Sequence, residues 1–274
     1  MFFDKLPDKG LICAHRGARS LAPENTMSAL VMAQKCGAHC LETDVQLTKD
    51  NALVIFHDDT LGRTTDIAKK EQWQRLQPWP VDQFTIEQLR TLDAGSWFLR
   101  TDPFGTIAGG EVTTDRHELI KKQQIPLLRE LLTWSTASGF PINIEIKSLN
   151  TKPGDVAVVD KIMDLLTAAG AIEYVLLSSF RHEYLLRARS LHPQIELAVL
   201  TDTQHPRNLV EYLHHFSAAA YHPNETLCDK ELIASLRQAG IRVNCWTVNT
   251  TIRAEELLSA GAGIITDWPQ HLRS

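Results

Sequence analysis

The chain has 274 residues, 28 of them Lys or Arg against 33 Asp or Glu, for a formal net charge of −5; 43% are hydrophobic and 22% charged. That balance excludes a disordered chain, and its acidity excludes the broadly basic surface on which general nucleic-acid binding or a polybasic membrane anchor depends. The longest stretch free of charge, 131–144, is 14 residues long and broken by Ser, Thr, Gly and Pro, short of the roughly 20 apolar residues of a spanning helix.

In chain order, Met1-Phe2-Phe3-Asp4-Lys5 offers no basic region followed by an apolar core, so no secretory signal is expected. Five cysteines (Cys13, Cys36, Cys40, Cys228, Cys245) are an odd number set mostly in apolar runs, which fits reduced thiols and a cytoplasmic location. Cys36 and Cys40 have the spacing of one helical face, but no second Cys/His pair accompanies them to make a zinc site. Short apolar runs then alternate with helix-period segments. Strands are predicted at 11–14, 40–47, 142–146, 174–179, 195–200, 218–221, 243–248 and 263–266. Between them, Ala29, Leu30, Ala33 and Cys36 share one helical face, as do Val158, Ile162, Leu165 and Leu166. Asn25 or Thr26 offers an N-cap, and Gly37, Gly170 and Gly240 fall where helices should stop.

Eight strands alternating with helices predict an α/β fold with a parallel sheet, and eight is the number that closes a (β/α)₈ barrel of TIM type. An open doubly wound sheet satisfies the same spacing. Thr48-Lys49-Asp50-Asn51 reads as a turn, which makes 40–47 and 52–57 a hairpin appended to the second strand. From about 60 to 124 no βα unit recurs, yet the segment holds Trp73, Trp79, Trp97, Phe98 and Phe104. An insertion packed on the barrel is expected there, within a single domain spanning 1–274.

Ionisable residues in strands that should be buried call for a reason. His15 and Arg16 end the first strand just before Gly17, a combination suited to binding phosphate or carboxylate. Glu42 and Asp44 stand two apart on the second strand, hence on one side, where two carboxylates repel unless a cation lies between them. His57-Asp58 closes the hairpin and can bring a second histidine over the same mouth. Glu145 and Lys147 repeat the two-residue spacing in Asn143-Ile144-Glu145-Ile146-Lys147. These groups lie near C-terminal strand ends, where barrel enzymes carry their chemistry; the plain alternative is a set of solvated or mutually paired strand ends. Ser178, Ser179 and Asn249 read individually as caps, and His214-His215 as solvated surface. Three carboxylates without a cysteine suit a hard divalent ion, Mg²⁺ or Ca²⁺. Arg16 and Lys147 can neutralise a phosphate, and two histidines can serve as acid and base: equipment for cleaving a phosphodiester.

At this point the residues resemble the glycerophosphodiester phosphodiesterases. The match runs through His15-Arg16-Gly17, Pro23-Glu24-Asn25-Thr26, Glu42-Thr43-Asp44-Val45, Val54-Ile55-Phe56-His57-Asp58 and Asn143-Ile144-Glu145-Ile146-Lys147, and on through Ser178-Ser179-Phe180, Trp246-Thr247-Val248-Asn249 and Ile264-Ile265-Thr266-Asp267. The resemblance implies a TIM-type barrel with a small inserted subdomain, one divalent metal at Glu42, Asp44 and Glu145, and a histidine pair, His15 and His57. It places Arg16 and Lys147 beside the phosphate and Trp246 at the mouth. The sequence departs from the family pattern where Asp93-Ala94-Gly95-Ser96 is separated from Ile125-Pro126-Leu127-Leu128 by the longer stretch 99–124, and where Leu127 replaces a threonine.

The expected reaction is metal-dependent hydrolysis of a small-molecule glycerophosphodiester to sn-glycerol 3-phosphate and an alcohol. His15 and His57 act as acid and base in either order. The vicinal glycerol hydroxyl is favoured as nucleophile over water because intramolecular attack has a large effective molarity. The competing enzymatic reading is a lysophospholipase D using the aromatics between Trp73 and Phe104 as an apolar groove. A non-catalytic binding barrel would lack one of the five metal and histidine positions, and all five are filled.

Overall fold

The apolar runs pair side by side in the computed structural model of the chain, which describes residues 1–149 and 154–272. Nine strands form: β1 Ile12–Ala14, β2 Cys40–Leu47, β3 Leu53–Ile55, β4 Ile142–Ile146, β5 Val175–Ser179, β6 Glu196–Thr201, β7 Ala220–Pro223, β8 Arg242–Cys245 and β9 Gly263–Thr266. Each barrel strand pairs in parallel with the next, and β1 pairs with both β9 and β2, so the ring closes on eight strands. β3 lies outside the ring, antiparallel to β2 with Val45 opposite Ile55. The open sheet is thereby excluded, and the hairpin lies where the turn residues put it. The predicted strand at 243–248 is shorter in the structure: the regular ladder ends at Cys245, and Trp246 keeps one parallel bridge to Asn224, donating to the Pro223 carbonyl and accepting from the Glu225 amide, before the chain turns away.

Helices cover the outside of the ring. Thr26, not Asn25, caps the first, Met27–Lys35, by accepting from the Ala29 amide. That helix ends at Cys36 while Cys40 already opens β2, so the two cysteines share no helical face. Between β3 and β4 the chain folds as short helical turns with their own apolar cluster, including Leu61, Ile67, Phe84 and Leu89, against which Trp73 and Trp79 pack. Trp97 and Phe98 instead join the main core, so these four aromatics are packing residues. The longer stretch before Leu127 braces the barrel: Phe104 meets Trp268 edge-on at 5.6 Å, and Thr106 Oγ1 donates to the Ser20 carbonyl at 2.6 Å.

The barrel interior is layered. At the N-terminal end Phe2 and Phe3 plug the ring, with the Arg242 guanidinium over the Phe3 ring at 4.6 Å and the Phe3 amide donating to Glu196. Above them lie Cys13, Cys40, Leu176, Ala198 and Ala220. The polar layer comes next, towards the C-terminal ends, where the parallel strands leave a mouth open. Among the described residues no helix is long and apolar enough to cross a membrane.

Candidate active site

Two-residue periodicity carries the interior face of β2 from Cys40 to Glu42 and Asp44, and that of β4 from Asn143 to Glu145. Register pairs Glu42 with Asn143 and Asp44 with Glu145, so the three carboxylates are immediate neighbours on the wall. One ligand oxygen from each of Glu42, Asp44 and Glu145 lies within 4.8 Å of the others. Burial, reinforced by Asp44 and Glu145, pushes the Glu42 carboxyl well above the usual range. Burial also raises Glu145, again with Asp44 adding to it. For Asp44 burial acts in the same sense, but Lys147 and Arg16 together outweigh it and hold the group ionised. Asp44 Oδ1 is buried with no hydrogen-bond partner among the described residues. Three hard oxygen donors, one of them with no hydrogen bond and only the Lys147 ammonium at 3.5 Å, are a set that a divalent cation satisfies.

The cations around this cluster are held in place. Lys147 Nζ donates to Glu145 at 2.7 Å and lies 3.5 Å from Asp44. Arg16 takes a left-handed backbone (φ 53°) that aims its amide at Glu42 Oε2, 2.9 Å away. The following Gly17 is required: a Cβ there would sit 2.6 Å from the Ala29 backbone. Arg16, Arg19 and Arg63 all donate to buried Glu24, whose pKa falls to about 2 because the guanidinium contacts overcome burial.

Each histidine is anchored through Nδ1. His15 Nδ1 donates to Asp267 at 2.7 Å, which leaves Nε2 facing Glu42 at 4.0 Å. Burial lowers the His15 pKa, against the pull of Asp267. Asp267 is itself held by Asn249, whose amide donates to its other oxygen at 2.8 Å. His57 Nδ1 donates to Asp58 at 2.7 Å, and Arg63 clamps Asp58 through two bonds of 2.6 and 2.8 Å. A carboxylate only accepts, so both rings carry their proton on Nδ1 and present Nε2.

These groups open into one cavity of about 230 Å³ at the C-terminal mouth, lined by His15, Arg16, Glu42, His57, Glu145, Lys147 and Trp246 among others. Asp44 lies just behind this lining, within the carboxylate cluster. Trp246 meets Phe180 edge-on at 5.5 Å across the rim.

The chain from 15 to 271 matches the glycerophosphoryl diester phosphodiesterase family. It is 36% identical over 264 residues to a glycerophosphodiester phosphodiesterase of Bacillus altitudinis, covering 94% of each chain. A glycerophosphodiester phosphodiesterase of Caldanaerobacter subterraneus is 33% identical over 269 residues, covering 96% of both. An Oleispira antarctica phosphodiesterase, solved in complex with the product sn-glycerol-3-phosphate, superimposes with a TM-score of 0.77 at 26% identity, over 98% of this chain and 96% of that one. The chain belongs to the glycerophosphoryl diester phosphodiesterase family.

In this phosphodiesterase fold all eight sequence-derived positions (His15, Arg16, Glu42, Asp44, His57, Glu145, Lys147 and Trp246) converge on one mouth. Sequence reasoning placed none of Glu24, Asn25, Asp58, Arg63 and Asp267 in the site's chemistry, and read Asn25 as a candidate helix cap. Asn25 donates to Asp44 at 2.8 Å and accepts from Thr43 at 2.7 Å, a task hidden behind its resemblance to a cap. The adjacency of Asp58 to His57 was the one local signal. His214 and His215 are exposed, as expected of a surface pair.

Proposed function

We propose that this phosphodiesterase-family chain hydrolyses glycerophosphodiesters to sn-glycerol 3-phosphate and an alcohol, as one barrel domain with Glu42, Asp44 and Glu145 as ligands of a single divalent ion, Mg²⁺ or Ca²⁺. One observation carries the reading: two imidazoles, each anchored through Nδ1 on a carboxylate, face the pocket that holds the three-carboxylate cluster. The bound ion would supply Lewis-acid charge to the phosphate and lower the pKa of a coordinated hydroxyl.

The chain's own groups do the rest. Arg16 and Lys147 offset phosphate charge at the edge of the cluster. One histidine, neutral with a free Nε2, takes the proton of the attacking hydroxyl, and the other, entering the step as the imidazolium with Nε2 also protonated, gives that proton to the departing alcohol oxygen. Asp267 and Asp58 keep both rings in the tautomer this needs and stabilise each imidazolium as it forms. The nucleophile is the vicinal glycerol hydroxyl, whose attack gives a cyclic phosphate that water then opens. Trp246, edge-on to Phe180, walls the exit of the leaving alcohol. The odd number of buried cysteines supports a cytoplasmic site of action.

A metal-titrated assay over a panel of glycerophosphodiesters, detecting sn-glycerol 3-phosphate, tests the reaction. His15→Ala and His57→Ala should each lower kcat by about 10²–10⁴-fold with the fold intact. Wild-type turnover in either variant removes that histidine from the chemistry. Hydrolysis in ¹⁸O-water with a search for the cyclic phosphate tests the nucleophile, and normal cleavage of a substrate lacking the vicinal hydroxyl sinks it.

A further inference from the structure

Two side chains on the pocket wall have no partner and no part in the chemistry above. Asn143 is 2% and Ser178 0% exposed, and both line the active-site cavity. Neither amide atom of Asn143, nor the Ser178 hydroxyl, meets a hydrogen-bond partner among the described residues. The neighbouring Ser179 points the other way and donates to the Ile146 carbonyl at 2.8 Å, so an unpaired serine is not the rule on this strand. Leaving such groups buried and unpaired is unfavourable unless something that enters the cavity pairs with them.

Their position and chemistry define what that is. Asn143 is opposite Glu42 in the sheet and Ser178 opposite Glu145, so both adjoin the carboxylate cluster. They are uncharged, whereas phosphate charge is met by Arg16 and Lys147. An amide and a hydroxyl together offer donors and acceptors to a group that both donates and accepts, such as a primary alcohol. Beneath them the barrel interior is filled by Leu176, Cys13 and Cys40, then by Phe2 and Phe3, so packed apolar side chains lie below a group held between them.

We propose that Asn143 and Ser178 read the terminal hydroxyl of the substrate's glycerol, and so confine the enzyme to glycerophosphodiesters whose glycerol bears no acyl group. This rests on the phosphodiesterase reading. It separates that reading from lysophospholipid cleavage by a physical criterion: the hydroxyl that an acyl ester would block is the one the floor binds.

The experiment compares glycerophosphocholine with 2-hydroxypropyl phosphocholine, which keeps the vicinal hydroxyl and lacks only the terminal one. In parallel, calorimetry compares binding of sn-glycerol 3-phosphate and 1,2-propanediol phosphate at saturating divalent ion. Wild type should favour the glycerol compound by roughly 100-fold in kcat/KM, and in affinity in the same direction, since a site built for a hydroxyl rejects its absence. Ser178→Ala and Asn143→Leu should each shrink that preference to a few-fold by losing the glycerol compound, leave the deoxy compound unchanged, and keep or raise thermal stability. Equal handling of the two compounds by wild type, or an undiminished preference in both variants, overturns the proposal, as does cleavage of 1-acyl lysophosphatidylcholine at the glycerophosphocholine rate. If glycerophosphocholine is not turned over, the proposed activity fails, and the calorimetric comparison still decides the role of the floor.

Discussion

Three arginines converge on Glu24, and that makes its charge measurable through pH. Its folded pKa of about 2 lies below the ordinary 4.5, so the carboxylate contributes stability above about pH 4.5, and the contribution is lost as pH falls through about 2. The displacement corresponds to about 3 kcal/mol, in line with the 3–5 kcal/mol typical of breaking a buried ion pair. Glu24→Gln should therefore be about 3 kcal/mol less stable than wild type at pH 7 by denaturant unfolding, with the gap closing towards pH 2. A gap independent of pH would mean that the arginines do not act through the Glu24 charge. The same residue shows where sequence reading stops. Glu42, Asp44 and Glu145 are legible because each is an ionisable group at a strand position that should be apolar, and His15 and His57 because each follows the end of a short apolar strand. The Glu24–Arg63 and His15–Asp267 pairings join residues 39 and 252 apart in the chain, and no local pattern encodes them.

Among the elements, the β2–β3 hairpin is what brings His57 to the mouth, and one glutamine secures it. Gln46, buried on β2 two residues beyond Asp44, aims its Nε2 at the carbonyls of Phe56, His57 and Asp58, at 3.1, 3.0 and 2.8 Å. Gln46→Leu leaves these carbonyls unpaired and frees the segment carrying His57. We expect kcat to fall roughly tenfold through misplacement of the ring, with the metal-induced rise in Tm unchanged because the carboxylate cluster is untouched. Unaltered kcat would show that the Asp58–Arg63 clamp alone fixes the ring. The hairpin itself was legible from the Thr48–Asn51 turn between two alternating runs, and the eight barrel strands from their apolar runs. The insertion was legible only as a gap in the βα rhythm, because short turns such as Ile67–Lys69 and Val81–Gln83 carry no period to read. The Phe2–Phe3 plug escaped for a related reason: four residues at a terminus reveal their apolar role only once a barrel stands above them.

Over the whole molecule, a net charge of −5 is a poor guide to a site that must receive an anion. Glu42, Asp44 and Glu145 contribute three negative charges, but a divalent ion with Arg16 and Lys147 would leave the site at +1, suited to a singly charged phosphodiester. Crowded together in a buried setting, the same carboxylates repel one another, a cost that a bound cation would relieve. Glu42→Gln tests this balance, since a glutamine oxygen can still accept from the Arg16 amide while one charge is gone. In chelator the variant should melt at or above the wild-type temperature. With divalent ion at 100 times its Kd, wild type should gain about 2.7 kcal/mol, roughly 5–10 °C in Tm at this size, and the variant should gain little. The two melting curves should thus change order, or at least reverse their spacing, as metal is added. An equal metal response in both proteins would remove Glu42 from the ligand set, and a variant markedly less stable in chelator would show that its charge stabilises the fold without the ion.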